Sequence, residues 1–368
     1  MHKLTAIALV LVACGGDDAS VTTGNDAGIV TRPDGAKIFP DGAIVPEAGP
    51  NPEAGPSNGK SPSFAGCDIF PADNAWNRDV SKDALSKDNA KYLGAMAPGK
   101  ALHPDWGTSK QQFGIPISSG TGAPPIKMNW TAQWGPTESD PLPCPNNGGM
   151  FCYPIPSTAK IEGGPSAKPT DDRHVLYIDT AGATGNCTLY ELYQAQNWTG
   201  PDWKAANGAI WHLGSNMTRT VGWTSADAAG LPIMPGLVRY DEVKAGEIRH
   251  AIRFTMVNSQ QAYILPATHA AGTTTTSDPP MGLRLRLKAN VNVNMPSAEA
   301  TVLITALKKY GVMLADNGSD WYLSGETNDG WATPSTNGNT VMDDVISAFN
   351  QLHGADFEVV DTGPIAGN

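Results

Sequence analysis

IRHAIRFTMV, residues 248–257, alternates with a period of two: Ile248, His250, Ile252, Phe254 and Met256 share one face of an extended chain, and Arg249, Ala251, Arg253 and Thr255 share the other. β-Branched and aromatic residues dominate and no helical spacing competes, so the stretch predicts a strand with its first face on a core. Runs of the same kind recur on both sides of it, at 173–179, 188–195, 209–213, 262–266, 283–293, 312–315, 321–324 and 357–360, bounded by Gly, Asn, Pro or Asp. Two helices interrupt them. One spans 297–310, with Ser297 as N-cap, Glu299 in the first turn, and Lys308 and Lys309 ahead of Gly311; the other spans 341–352. Shorter helical turns are predicted at 83–93, 225–229 and 241–244. With 40 Gly, 30 Pro and only 17% charged residues, the chain reads as mainly β, of the α+β class. The expectation is a large antiparallel sheet system, either a sandwich or barrel-like, with two or three packed helices.

Ahead of this region the composition changes twice. MHKLTAIALVLVAC (1–14) has one cation, an uncharged apolar run too short to span a bilayer, and a small residue before Cys14, the pattern of a bacterial lipoprotein signal. Cys14 is therefore the expected lipidation site, and acyl chains on it would anchor the chain to the cell envelope, with the outer membrane as the expected address. Residues 15–63 are rich in Gly, Pro, Ala and Asp, with Phe39 as their one aromatic, and read as a disordered acidic tether. A single β-rich domain, 64–368, follows. The whole chain carries a formal charge of −11, which argues against nucleic acid as a partner. Four cysteines remain after Cys14, an even number that predicts disulfides in an exported chain: Cys144 with Cys152 across a short Gly/Asn/Pro loop, and Cys67 with Cys187. Neither a metal nor a cofactor is called for, since the histidines and cysteines have no ligand-like spacing.

Several residues are candidates for chemistry. His250 is the one ionisable group in its apolar row: either a general base kept neutral by burial, or a core histidine bonded to backbone. Asp227, in GWTSADAAG (222–230), either serves the dipole of the one-turn helix or belongs to a carboxylate pair with Asp316, Glu242 or Asp320. Asp316 opens the turn DNGSDW (316–321), which alone would explain it. Tyr240 is a second possible base, and Arg239 or Arg253 could neutralise a uronate. Arg284, Arg286 and Lys288 form a cationic row on one strand face, suited either to an anionic glycan or to pairing with a neighbouring strand. His269 lies in a loop, and Trp223, with other tryptophans in loop contexts, is placed to stack on sugar.

The segments at 222–255, PPMGLRLRLKA (279–289), ALKKYGVMLADNGSDWYLSG (306–325) and DFEVVDT (356–362) resemble a widespread group of exported bacterial proteins, often fused to carbohydrate-binding or fibronectin-like modules. The resemblance extends from FPADNAWN (70–77) to the end of the chain. It implies export and a polysaccharide-rich setting, and brings no catalytic residues with it. Two functional expectations stand together: a surface enzyme that hydrolyses or eliminates across a glycan through His250, Asp227, Tyr240, Arg239 and Asp316, or a non-catalytic binding module that uses Trp223, His269 and the cationic row.

Overall fold

In the computed structural model, residues 30–31, 37–38, 60–182, 186–196 and 199–367 are described. Cys14 and most of the expected tether lie outside them. Met1–Glu47 and Ala48–Asn368 form separate units. In the first, Val30–Thr31 pairs antiparallel with Lys37–Ile38.

The second unit is built on two larger sheets. In a six-stranded sheet the order is Phe357–Val359, Arg284–Leu287, Val312–Asn317, Ile252–Met256, Tyr322–Ser324 and His103–Asp105. It is mixed: Ile252–Met256 runs parallel to Val312–Asn317, and Tyr322–Ser324 runs parallel to His103–Asp105. In a four-stranded sheet, Asn207–His212, Thr188–Tyr193, Val175–Asp179 and Ile117–Gly120 follow one another, the last pair parallel. The architecture is therefore mainly β, α+β, with mixed sheets beside antiparallel ones and no closed barrel among the described residues.

The four-stranded sheet is buried on both faces, which its alternation accounts for. Leu176, Ile178, Leu189, Ala209 and Trp211 enter the main core with the six-stranded sheet, while Val175, Tyr177, Tyr190 and Leu192 pack on a second core with Met128, Tyr153 and Trp203. At about 25 cal/mol per Å² of apolar surface removed from water, these two cores are the main source of stability.

Local signals account for the helices. Ser297 Oγ accepts from the Ala300 N–H at 3.2 Å and starts Ala298–Lys309; Thr340 Oγ1 accepts from the Asp343 N–H at 3.1 Å and starts Val341–Phe349. Tyr240–Ala245 ends at Gly246 in the left-handed region, φ 88°. Three expectations are corrected. The strand expected over 248–257 is formed only over Ile252–Met256, so His250 precedes it, and the strand expected over 283–293 is formed only over Arg284–Leu287. Residues 225–229 make turns and no helix. Cys67 bonds Cys187 and Cys144 bonds Cys152, with Cα atoms 5.9 and 5.0 Å apart.

Candidate functional site

A cavity of about 490 Å³ opens where the C-terminal end of Val312–Asn317 meets the short helix Gly135–Glu138 and the loops at 172, 224–228 and 269; Trp134, Glu138, Asp172, Tyr193, Asp227, His269, Asp316 and Asn317 are among the residues lining it. That size is within the usual range for small-molecule sites. Its floor is organised by Arg253. Because Ile252–Met256 is interior to its sheet and buried throughout, the Arg253 face is covered as well as the Phe254 face, and the guanidinium must find partners inside the protein. Nε and Nη2 donate to the two oxygens of Asp227, each at 2.7 Å; Nη1 donates to Ser324 Oγ at 2.6 Å and Nη2 also to Asp316 Oδ2 at 3.0 Å. The register between Ile252–Met256 and Val312–Asn317 shifts after Phe254, which pairs with Leu314, so that Thr255 faces Asp316 and Ala315 is the extra residue. A bulge of this kind re-aims the side chain that follows it. Here it brings Asp316 to the guanidinium.

The loop that carries Asp227 is held carbonyl by carbonyl. Asn207 Nδ2 donates to the Ser225 carbonyl at 2.7 Å, His174 Nε2 bonds the Ala226 carbonyl at 3.0 Å, and Ser225 Oγ donates to the Asp227 carbonyl at 2.9 Å. His269 Nδ1 bonds the Ala228 carbonyl at 2.7 Å, and the Thr268 and His269 N–H groups reach the Ala229 carbonyl. With these carbonyls taken by donors from elsewhere, the helix expected at 225–229 has no acceptors left for its own ladder. Gly230 closes the loop at φ +69°, where a Cβ would lie 2.3 Å from Thr268 Oγ1 and 2.6 Å from the Trp223 carbonyl. Only glycine fits both the angle and the space.

The two carboxyl groups on Arg253 differ in access and therefore in charge. The Asp227 side chain is 0% exposed, whereas that of Asp316 is 21% exposed. Burial, reinforced by the nearby Asp227 charge and opposed by Arg253, pushes the Asp316 carboxyl up to about 8, while its Oδ1 accepts the Asn317 N–H at 2.7 Å. Asp227 outweighs the effect of burial on Arg253 and raises its pKa further. Behind the loop, His174 Nδ1 lies 2.7 Å from Glu162 Oε2. Burial alone would lower the His174 pKa; the Glu162 carboxylate overrides it and raises it to about 9. Both His174 ring nitrogens therefore carry protons, one for Glu162 and one for the Ala226 carbonyl. On His269 the Nδ1 proton goes to the Ala228 carbonyl, which leaves Nε2 as the lone-pair nitrogen available to the cavity.

Of the residues singled out from the sequence, Asp227, Asp316 and His269 line this cavity together. The others do not. His250 is buried in the core, Nδ1 2.7 Å from the Ala251 carbonyl and Nε2 3.0 Å from Glu242 Oε2. Arg239 is equally buried and donates to Glu242 and the Met234 carbonyl; the Tyr240 hydroxyl meets Thr333 Oγ1 at 2.8 Å. Arg239 and His250 share Glu242, Tyr240 opens the helix Tyr240–Ala245, and none of the three is among the residues lining the cavity. The cationic row is also engaged internally. Arg284 is buried and donates to the carbonyls of Tyr310, Ala75 and Arg78, Arg286 pairs with Glu358 on the adjacent strand at 2.7 Å, and Lys288 Nζ reaches the Ala355 carbonyl at 2.7 Å. Trp223 packs under the Arg219 guanidinium, 5.7 Å from the ring centroid, beside the cavity but not in its lining. Glu138, Asp172, Tyr193 and Glu162 had no local signal as site residues: Glu138 closes the short helix Gly135–Glu138, Asp172 lies in a loop, and they line the cavity with Asp227 across 89 and 55 positions of chain. Among the described residues no cluster of His, Cys, Asp and Glu has a metal-binding arrangement.

Compared with models of known protein families, with curated proteins and with solved structures, the chain matches none.

Proposed function

We propose that the cavity hydrolyses a glycosidic bond by general acid–base catalysis, with Asp316 as the proton donor. The observation that carries this reading is a carboxyl group, partly accessible from a polar cavity with Trp134 and Tyr193 in its lining, whose affinity for a proton is raised by burial and by the neighbouring Asp227 charge. In the step envisaged, Asp316 gives its proton to the leaving oxygen as the bond from the anomeric carbon breaks. His269 Nε2 takes a proton from water, and the resulting hydroxide completes the sugar product. Asp227 touches no substrate in this scheme; it holds Arg253, and the Arg253–Asp227 pair holds Asp316 in place. Trp134 and Tyr193 offer ring faces to the sugar. Elimination across a uronate is the weaker reading, since neither Lys nor Arg lines the cavity to meet a carboxylate substrate. The alternative of a binding module built on the cationic row loses its support, because those cations are bonded within the protein. Acylation of Cys14 would hold the enzyme at the envelope surface, next to polysaccharide; incorporation of labelled fatty acid that is lost in Cys14→Ala is the expected result.

The test compares the full chain with Asp316→Asn on a panel of oligosaccharides, scoring reducing ends and the ultraviolet absorbance of unsaturated products. New reducing ends without unsaturation, falling by about 10²-fold or more in the variant, are expected of a lost general acid. Equal rates in the two proteins would rule out Asp316 as donor. Binding without any cleavage by the wild-type chain would favour the non-catalytic module.

A further inference from the structure

Resting on this hydrolytic reading, we propose that the glycan accepted by the cavity carries free amino groups, whose ammonium charges are met by Asp172 and Glu138. Four carboxyl residues, Glu138, Asp172, Asp227 and Asp316, line the cavity, and neither Lys nor Arg is among its lining residues. Two of the four already meet a cation, since Asp227 and Asp316 share the Arg253 guanidinium. The other two have no ion pair among the described residues. Glu138 Oε2 accepts one backbone N–H, that of Thr224 at 3.0 Å, and the Asp172 side chain is exposed, with no hydrogen bond to it among the described residues. The cations nearby are already matched. Arg219 bonds the main-chain carbonyl of Glu138 but pairs its charge with Asp140, His174 pairs with Glu162, and Arg253 is fully engaged by Asp227, Asp316 and Ser324.

The remaining walls fit the same occupant. Trp134 and Tyr193 are aromatic lining residues, a type that attracts ammonium groups as well as stacking on sugar rings, and Thr224, Ser225 and Asn317 are neutral hydrogen-bonding residues. A uronate or sulfated chain would place its anions against two unpaired carboxylates. A neutral chain would offer them hydroxyl donors but no charge. A polymer of glucosamine type is the glycan class for which this charge pattern is complementary, and the chain's formal charge of −11 steers such a polycation toward it.

Calorimetric binding to the full-length Asp316→Asn variant, which is not expected to turn over, compares β-linked glucosamine oligomers with the same oligomers N-acetylated and with cellulose oligomers. Glucosamine oligomers should bind at least about ten-fold more tightly, a difference of about 1.4 kcal/mol. The advantage should shrink in high salt and when Asp172→Asn and Glu138→Gln are added. Equal binding of acetylated or neutral oligomers, a preference untouched by salt, or displacement of the oligomer by spermidine at matched charge would each overturn the proposal. The kcat/KM of the wild-type chain on the same three substrates gives the comparison without any variant. The two readings fail separately: tight glucosamine binding without cleavage removes the hydrolase and keeps the charge preference, whereas faster cleavage of neutral oligomers keeps the hydrolase and removes the preference.

Discussion

Asp227 and Asp316 share one guanidinium, and their different burial gives them different work. Asp227 is sealed and bonded at both oxygens, so its charge is matched to Arg253; Asp316 accepts one N–H from the same group and one from Asn317, keeps an accessible edge and has its pKa raised. Asp227→Asn should therefore cost far more stability than a surface change. Removing one member of a buried charge pair costs about 3–5 kcal/mol, to be read from the denaturant midpoint with an unchanged slope; a loss below about 0.5 kcal/mol would mean that Arg253 finds other partners. Both carboxylates were legible in the sequence as a possible pair, although a helix dipole for Asp227 and a turn for Asp316 would each have explained them locally. The role of Arg253 was not legible. Alternation separated it from His250 correctly, but it could not reveal that an interior strand is covered on both faces, so that the ionisable group beside the cavity is the arginine and not the histidine.

At the scale of elements, the loop 224–230 is positioned by what binds its carbonyls, and Gly230 is the residue that permits the closure. Gly230→Ala places a Cβ against Thr268 Oγ1 and the Trp223 carbonyl at a positive φ. A residue forced into that region costs about 1–3 kcal/mol, and the clash adds to it. Unfolding experiments should show a loss of at least that size, together with lower activity, because Ala229 is the anchor for the His269 backbone. A variant as stable and active as wild type would show that the loop has room which the geometry denies it. The punctuation of this segment, with its small residues, Asp and Gly, was legible, yet it was read as a one-turn helix. Donors from Asn207, His174 and His269, distant in sequence, take the acceptors a helix would need. The helices at 298–309 and 341–349 were recovered because their caps and apolar stripes are local.

Across the whole molecule, three buried groups set the pH dependence. Asp316 is raised to about 8 and Glu191 to about 7, both chiefly by burial, and His174 to about 9 by Glu162 against burial. In each case the folded state keeps a proton that the unfolded chain releases at lower pH. Their stabilising contributions are complete below the unfolded values, about 4 for the carboxyls and 6.5 for histidine, and disappear as pH rises through the folded ones. Glu242 and Glu162 have the opposite sign, lowered by their cationic partners against burial, and their contributions are lost on the acid side. The melting temperature should accordingly fall between pH 6 and pH 9, and a rise over that interval would contradict these assignments. At this scale the β-rich class and the cysteine pairs were legible in alternation and spacing, while the mixed pairing of the sheets was not, since strand order depends on which partners meet in space.

The protonation of Asp316 is measured most directly by a carbon-13 titration of its carboxyl group in the full chain, assigned by its disappearance in Asp316→Asn. A midpoint raised to about 8 is expected. A midpoint near the ordinary aspartate value of about 3.9 would leave the cavity without a proton donor and contradict the proposed chemistry.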